Sequence, residues 1–169
     1  MQALIFRFFD ICILRAGPQD LPSSLFLLRL IVVLGVVVGT IMYLPMKGFS
    51  QSLAISLFGA VFLTAFLYIG LKLRNKLARF RQTVIAAMGT GIILDFVMMP
   101  FEYTRLAAQL DGESSPIAFQ MVLLTLFWSI TVFAHIIRHS FEIRFGYGFI
   151  VSVGYVVLFL MLANLVFTV

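Results

Sequence analysis

Long apolar runs alternate with short polar segments along the whole chain. A helix needs about 20 mostly apolar residues to cross the hydrocarbon core of a membrane. Five stretches of the sequence meet that length: residues 24–44, 53–73, 83–103, 117–137 and 148–169. We therefore predict an all-α membrane protein in which residues 17–169 form a domain of five transmembrane helices.

The segments between these spans are short and hold most of the polar residues. Residues 45–48 are predicted to turn the first hairpin, and residues 73–82 to form a basic loop. Residues 105–116 are predicted to form the most polar loop, and residues 138–146 the last turn. None of these connections is long enough to hold a soluble catalytic domain.

Residues 1–16 precede the first span and are predicted to form a separate short helix. One face of that helix is apolar and holds Met1, Ile5, Phe8, Phe9 and Cys12. On the other face, Arg7 and Asp10 are three residues apart and can form an ion pair. This amphipathic pattern favours a helix that lies in the cytoplasmic interface of the membrane, and a helix docked on the bundle is the alternative.

The composition supports a membrane protein and excludes several kinds of site. Apolar residues make up 62% of the chain and charged residues 11%, whereas a soluble domain carries about 25% charged residues. The single cysteine, Cys12, excludes an intrachain disulfide and a cysteine-based zinc site. The sequence contains no HExxH, CxxC or glycine-rich phosphate-binding motif. We therefore expect a protein that is not an enzyme and that binds no cofactor or metal.

The basic residues are distributed unequally between the two sides of the membrane. One side of the predicted topology holds nine of them: Arg7, Arg15, Lys72, Arg74, Lys76, Arg79, Arg81, Arg138 and Arg144. The other side holds Lys47 and Arg105. Lysine and arginine favour the cytoplasmic side of a membrane. The bias predicts a cytoplasmic N-terminus and a C-terminus across the membrane, and it explains the net charge of +5 without nucleic acid.

Five of these residues form a basic loop: Lys72, Arg74, Lys76, Arg79 and Arg81. A basic side chain close to an anionic leaflet contributes about 1 kcal/mol of attraction. The loop is therefore predicted to contact membrane lipids.

Small residues on two of the spans indicate sites of close helix packing. Gly35 and Gly39 form a GxxxG pattern that places both glycines on one face of the first span. Gly89 and Gly91 offer a similar small face on the third span. The helix that packs there could belong to this chain, to a second copy or to another membrane protein.

Asp95 is the polar residue that most needs an explanation, because it lies 12 positions into the third span. That position is about 18 Å along the helix, where a carboxylate costs about 2.5–3.5 kcal/mol on insertion scales. It predicts a proton or ion site, or a salt bridge to a partner subunit. The alternative is a packing residue in the bundle that is protonated, or that is hydrogen-bonded by Thr90, Asn164 or Ser129.

Other polar side chains inside the spans receive simpler interpretations. Arg29 begins about 8 Å inside the first span and is predicted to extend to the cytoplasmic surface. Trp128 is near the middle of the fourth span and is predicted to pack between helices. His135 is predicted to bond backbone or lipid headgroups, with a pigment ligand as the alternative. Glu102 and Arg105 are predicted to form an ion pair.

The chain resembles the Yip1-type membrane proteins in its order of segments. The resemblance rests on Gly17-Pro18 before the first of five spans, on Phe80-Arg81-Gln82-Thr83 at the start of the third, and on the fourth span with Trp128 and Ile136-Ile137-Arg138-His139. The Asp-Leu-Tyr-Gly-Pro motif of the eukaryotic members is absent, so their roles in vesicle traffic are not expected here. The resemblance is to the bacterial members, and it implies a five-span protein of a bacterial inner membrane with no particular activity.

Two functions are compatible with these features. A non-catalytic scaffold or accessory subunit of a larger membrane complex is favoured by the short loops and the small-residue faces. The alternative is a small transporter or channel component that uses Asp95, with two or more copies assembled together. An intramembrane enzyme using Asp95, Glu102 or His135 ranks last, because these residues lie at different depths.

Overall fold

The computed structural model describes residues 2–167, which form α-helices joined by short turns. A short helix, α1, spans Gln2–Cys12. The five long helices are α2 (Leu25–Lys47), α3 (Phe49–Leu73), α4 (Phe80–Leu110), α5 (Pro116–Phe141) and α6 (Phe145–Phe167). Each of the five is long and apolar enough to cross a membrane, which confirms the predicted number of spans.

The first hairpin is tighter than predicted. Helix α2 continues through Pro45 to Lys47, and Gly48 alone joins it to α3. Gly48 has a φ of 72°, in the left-handed region that glycine adopts without steric cost. The predicted four-residue turn at 45–48 is therefore wrong, because Pro45 lies inside the helix.

Two other connections are also shorter than predicted. Helix α4 runs on to Leu110, so the polar loop is limited to residues 111–115 rather than 105–116. Helix α5 runs on to Phe141 and ends at Glu142, which has a φ of 53°. The polar residues at these ends remain helical because a helix that continues beyond the apolar stretch still satisfies its backbone hydrogen bonds.

The five long helices form a ring with two distinct ends. Around the ring the order is α3, α2, α4, α5 and α6, and α6 lies beside α3. We call the end that holds residues 74–79 and 142–144 the basic end. The opposite end holds Gly48 and residues 111–115.

The tightest packing lies in the half of the bundle nearer the basic end. Most of the large side chains that are fully buried are found there: Ile11, Leu21, Leu67, Leu71, Val84, Ile85, Ile136 and Ile137. This core includes α1, which packs against α4 and α5. The half nearer the opposite end is more open and contains the cavities described below.

The buried face of α1 differs from the predicted one. Phe8 and Cys12 of the predicted apolar face are buried together with Ile11, whereas Ile5 is 55% exposed and Phe9 49% exposed. The predicted pair between Arg7 and Asp10 is not among the ion pairs that residues 2–167 form. Met1 lies outside the described residues. The buried face differs from the predicted one because α1 packs against α4 and α5, and these two helices determine which of its side chains are covered.

Candidate functional site

A cavity of about 330 Å³ lies inside the ring of long helices. All five helices line it, and most of its walls are apolar. The polar residues and glycines among its lining are Gly35, Tyr43, Ser56, Gly59, Thr90, Gly91, Asp95, Ser129 and Tyr155. The sequence alone predicted Asp95 as a site residue but gave no sign that a cavity surrounds it.

A second cavity of about 290 Å³ extends from the first toward the opposite end of the bundle. The two cavities share Tyr43, Asp95 and Leu126. The second one reaches Glu102, which lies two helical turns beyond Asp95 on the same face of α4. Its other walls include the thioethers of Met42, Met46 and Met98. Asp95 therefore lies at the junction of the two cavities.

The Asp95 carboxylate is half-buried and has no hydrogen-bonding or charged partner within residues 2–167. The three donors considered from the sequence do not reach it. Thr90 bonds the carbonyl of Ala86 at 2.8 Å, Ser129 bonds the carbonyl of its own preceding turn, and Asn164 is exposed. None of the three donors named from the sequence therefore bonds Asp95, and a protonated packing residue stays a prediction.

The ion pair predicted at the far end of α4 is confirmed. Nε of Arg105 donates to a carboxylate oxygen of Glu102 over 3.0 Å. Arg29, the other cation considered for the membrane interior, is exposed and lies near the start of α2. The two acidic residues thus differ in charge compensation, because Arg105 neutralises Glu102 and no basic side chain within residues 2–167 neutralises Asp95.

The four glycines predicted to pack helices divide into two pairs. A Cβ atom on Gly39 would lie 3.0 Å from Oγ of Ser56, so this glycine allows α2 to approach α3. A Cβ atom on Gly89 would lie 2.7 Å from Cδ1 of Phe8, so α1 packs against α4 at this glycine. Gly35 and Gly91 have no atom within 4 Å of such a Cβ atom, and both line the central cavity.

The segment after α1 is held by side chains of α4 and α5. Nε1 of Trp128 donates to the Cys12 carbonyl over 2.9 Å, and Nε2 of Gln82 donates to the Leu21 carbonyl over 2.7 Å. Nε2 of His135 lies 3.0 Å from the Ala16 carbonyl and donates to it, because a carbonyl oxygen only accepts. Trp128 was predicted to pack between helices, and its indole instead anchors the end of α1. The histidine prediction of a backbone bond is confirmed.

Part of the basic loop caps the end of α5. Nε of Arg74 donates to the Phe141 carbonyl over 3.3 Å, and Nη1 of Arg79 donates to the His139 carbonyl over 3.0 Å. Lys76 and Arg79 each lie 2.6 Å from a carboxylate oxygen of Glu142. The hydrogen bond from Lys76 is the main cause that lowers the pKa of Glu142 below its ordinary value. Lys72 and Arg81 are exposed and remain available to lipid.

The side chains that surround Asp95 are mostly apolar or aromatic. Within residues 2–167, no three side chains of histidine, cysteine, aspartate or glutamate are grouped as metal ligands. His135 is bound to the segment after α1, away from the cavity that holds Asp95. Comparisons with protein families, with curated proteins and with solved structures found no match. The site therefore has to be interpreted from its own geometry.

Proposed function

We propose that this protein is a small transporter component that exchanges a proton for another cation at Asp95. The observation that carries the proposal is the carboxylate without a protein partner in a cavity lined by all five long helices. A single carboxylate can hold either a proton or a cation, so binding of the cation releases the proton to water. The exchange follows from charge balance at one site.

The energetics favour a ligand at this carboxylate. A charged aspartate inside a bilayer costs about 2.5–3.5 kcal/mol on insertion scales, and such residues commonly mark ion or substrate pathways. Burial of a charge is tolerated when it is paired, and Asp95 has no basic partner within residues 2–167. A bound proton or cation supplies the missing neutralisation.

The packing supports access to Asp95 from the opposite end of the bundle. The second cavity connects Asp95 with the level of Glu102, toward the opposite end of the bundle. On the other side of Asp95, the core that includes α1 fills the space between the helices. Transport would then require a second conformation in which the basic end opens, and the anchored segment after α1 is the part that would have to move.

The membrane orientation is also a proposal. The excess of lysine and arginine at the basic end supports its placement on the cytoplasmic side, with α1 docked near the cytoplasmic interface and the C-terminus across the membrane. A bacterial inner membrane is the proposed location, and membership of the Yip1-type proteins stays a prediction. An odd number of spans cannot form two equal inverted halves, so a symmetric transporter would need two copies.

A role as a scaffold or accessory subunit of a membrane complex stays a prediction. The structure gives it less support than the sequence did. Gly39 and Gly89 are used for packing within the chain, and Gly35 and Gly91 line the central cavity. The small-residue faces that favoured a partner helix are therefore occupied or turned inward. No other feature of the described residues indicates a contact with a different membrane protein.

The test is proton release from vesicles that contain the purified protein and a pH-sensitive dye. Sodium, potassium and benzyltrimethylammonium are added outside one at a time, and the internal pH is followed. At least one cation should drive proton movement in the wild type, and Asp95→Asn should reduce it to the level of empty vesicles. Asp111→Asn, which changes an exposed loop carboxylate, is the control. Equal proton movement in wild type and Asp95→Asn would overturn the proposal.

A further inference from the structure

Aromatic rings share the central cavity with Asp95. Tyr43 comes from α2, Phe133 from α5, and Tyr155 and Phe159 from α6. Asp95 itself comes from α4, so four helices contribute either a ring or the carboxylate. A cation in this cavity would therefore meet one negative charge and several aromatic faces or edges.

Three of these rings, Phe133, Tyr155 and Phe159, pack against other aromatic side chains. The centroid of the Tyr155 ring lies 5.0 Å from those of both Phe66 and Phe133, and 5.3 Å from that of Phe62. Pairs at such distances have favourable aromatic contacts. Because the rings are ordered before a ligand arrives, little conformational entropy is lost on binding.

The ring of Phe159 packs beside Gly59 of α3. A Cβ atom at this position would lie 3.5 Å from Cε2 of Phe159, which is an ordinary van der Waals contact. Phe159 also stacks on Phe58, with ring centroids 6.1 Å apart. The wall between α3 and α6 is thus a continuous aromatic surface.

The oxygen atoms that line the cavity do not form a suitable ligand set for a small inorganic cation. Hard cations such as calcium take about six to eight oxygen ligands, whereas the cavity offers one carboxylate and a few hydroxyl groups. The apolar walls would leave most of the coordination shell of a metal ion empty.

The same cavity suits an organic cation. Quaternary ammonium groups bind to aromatic rings through the electrostatic attraction of the ring face. The volume of about 330 Å³ is roughly twice that of an engineered protein cavity of about 150 Å³ that binds benzene. An apolar pocket with a few polar groups is the usual form of a small-molecule site.

We propose that the cation bound at Asp95 is a hydrophobic organic cation, such as an aromatic quaternary ammonium compound. The inference rests on the proposed function and names the substrate class of the same site. Asp95 neutralises the charge, while Tyr43, Phe133, Tyr155 and Phe159 contact the apolar groups around it.

The first experiment measures equilibrium binding of tritiated benzyltrimethylammonium to the intact protein in nanodiscs. Empty nanodiscs measure partition into lipid and are subtracted. Neopentylbenzene has the same shape without the charge, and it should not displace the bound cation. Displacement by neopentylbenzene as effective as by the unlabelled cation would overturn the proposal, because an apolar cavity alone would then explain the binding.

Variants test which side chains bind the cation. Asp95→Asn should weaken binding by more than about 10-fold, because it removes the opposite charge. Tyr155→Leu and Phe133→Leu should each weaken it by about 2- to 30-fold, the range of a cation–π contact. Tyr155→Phe keeps the ring and should bind nearly as the wild type does, which separates ring contact from loss of folding. Phe96→Leu is the matched control, because Phe96 adjoins Asp95 but is 58% exposed and does not line the cavity.

Failure of this inference can be distinguished from failure of the proposed function. Proton release driven by sodium or potassium but not by benzyltrimethylammonium would leave the exchange at Asp95 standing and refute the organic substrate. Absence of proton release with every cation would refute both. Binding that is unchanged in Tyr155→Leu and Phe133→Leu would refute the role of the rings.

Discussion

The indole nitrogen of Trp128 donates a hydrogen bond to the backbone carbonyl of Cys12 over 2.9 Å. Cys12 is the last residue of α1, and the carbonyls of a final helical turn have no partner within the helix. The bond supplies such a partner from α5, although 116 positions separate the two residues in the sequence. It therefore fixes the end of α1 against α5.

Trp128→Phe should loosen the docking of α1 while retaining the aromatic ring. Loss of one hydrogen bond costs about 0.5–1.5 kcal/mol, which corresponds to an increase of about 2- to 10-fold in the population with α1 undocked. The measurement is the rate at which maleimide labels Cys12, the only cysteine of the sequence. Cys12 is buried, and burial raises the pKa of its thiol to about 11, so labelling at neutral pH should be slow in the docked state. Phe127→Leu, at the exposed neighbouring position, should label at the wild-type rate.

Gly89→Ala should separate α1 from α4, whereas Gly91→Ala should not. The new methyl group at position 89 would collide with the ring of Phe8, and overpacking of this kind costs about 1–3 kcal/mol. At position 91 the methyl group meets no atom within 4 Å, and alanine favours a helix over glycine by about 1 kcal/mol. Thermal unfolding in detergent should show a lower midpoint for Gly89→Ala and an equal or higher one for Gly91→Ala. A midpoint for Gly89→Ala that is equal to or higher than that of Gly91→Ala would contradict the contact between Phe8 and α4.

The length of α2 depends on a side chain from another helix. Pro45 has no N–H group, so the carbonyl of Ile41, four residues before it, loses its helical partner. The hydroxyl of Tyr103 donates to that carbonyl over 2.6 Å. Helix α2 can therefore continue to Lys47 instead of ending before the proline.

Tyr103→Phe should destabilise the fold by about 1 kcal/mol, because the Ile41 carbonyl is left without a donor. Pro45→Ala restores an N–H group at the right position, so the cost of Tyr103→Phe should shrink in that background. The four proteins form a double-mutant cycle that is measured by chemical unfolding. Tyr147→Phe, at an exposed position, should have little effect. If the effects of Tyr103→Phe and Pro45→Ala on the free energy of unfolding are additive, Tyr103 does not substitute for the missing N–H group.

These relationships show what the sequence could predict and what it could not. The apolar runs gave the number and approximate positions of the five long helices, because the membrane imposes a length on each span. The continuation of α2 through Pro45 depends on Tyr103, and the role of Trp128 depends on Cys12. Contacts between such distant positions leave no periodic pattern in a single sequence.

The candidate site was predictable to the same limited extent. Asp95 is visible in the sequence, because a carboxylate is rare inside a span. The cavity around it depends on Gly35 and Gly91, which were expected to pack against helices and instead leave space. The aromatic wall was missed, because phenylalanine and tyrosine are also common at lipid-facing positions in membrane proteins.

Glu142→Gln should lower stability at neutral pH and have little effect in acid. The pKa of Glu142 is lowered in the folded protein, mainly by the hydrogen bond from Lys76, so folding favours its charged form. Its contribution is fully present above the ordinary pKa of 4.5 and is lost as the pH falls through the lower folded value. The midpoint of thermal unfolding should therefore differ between the two proteins at neutral pH and converge on acidification. Glu113→Gln, in the exposed loop after α4, is the control, and an identical pH dependence for both variants would contradict the role of Lys76 and Arg79.

The central claim is that the carboxylate of Asp95 binds a cation inside the cavity, and carbodiimide labelling tests it most directly. Dicyclohexylcarbodiimide is apolar and forms a stable adduct with a protonated carboxyl group, and mass spectrometry of the fragments identifies the residue. The account predicts an adduct at Asp95 and little at Glu102, which is paired with Arg105. It also predicts that benzyltrimethylammonium slows the reaction at Asp95 while neopentylbenzene does not. Absence of the adduct, or a rate that no cation changes, would contradict the claim.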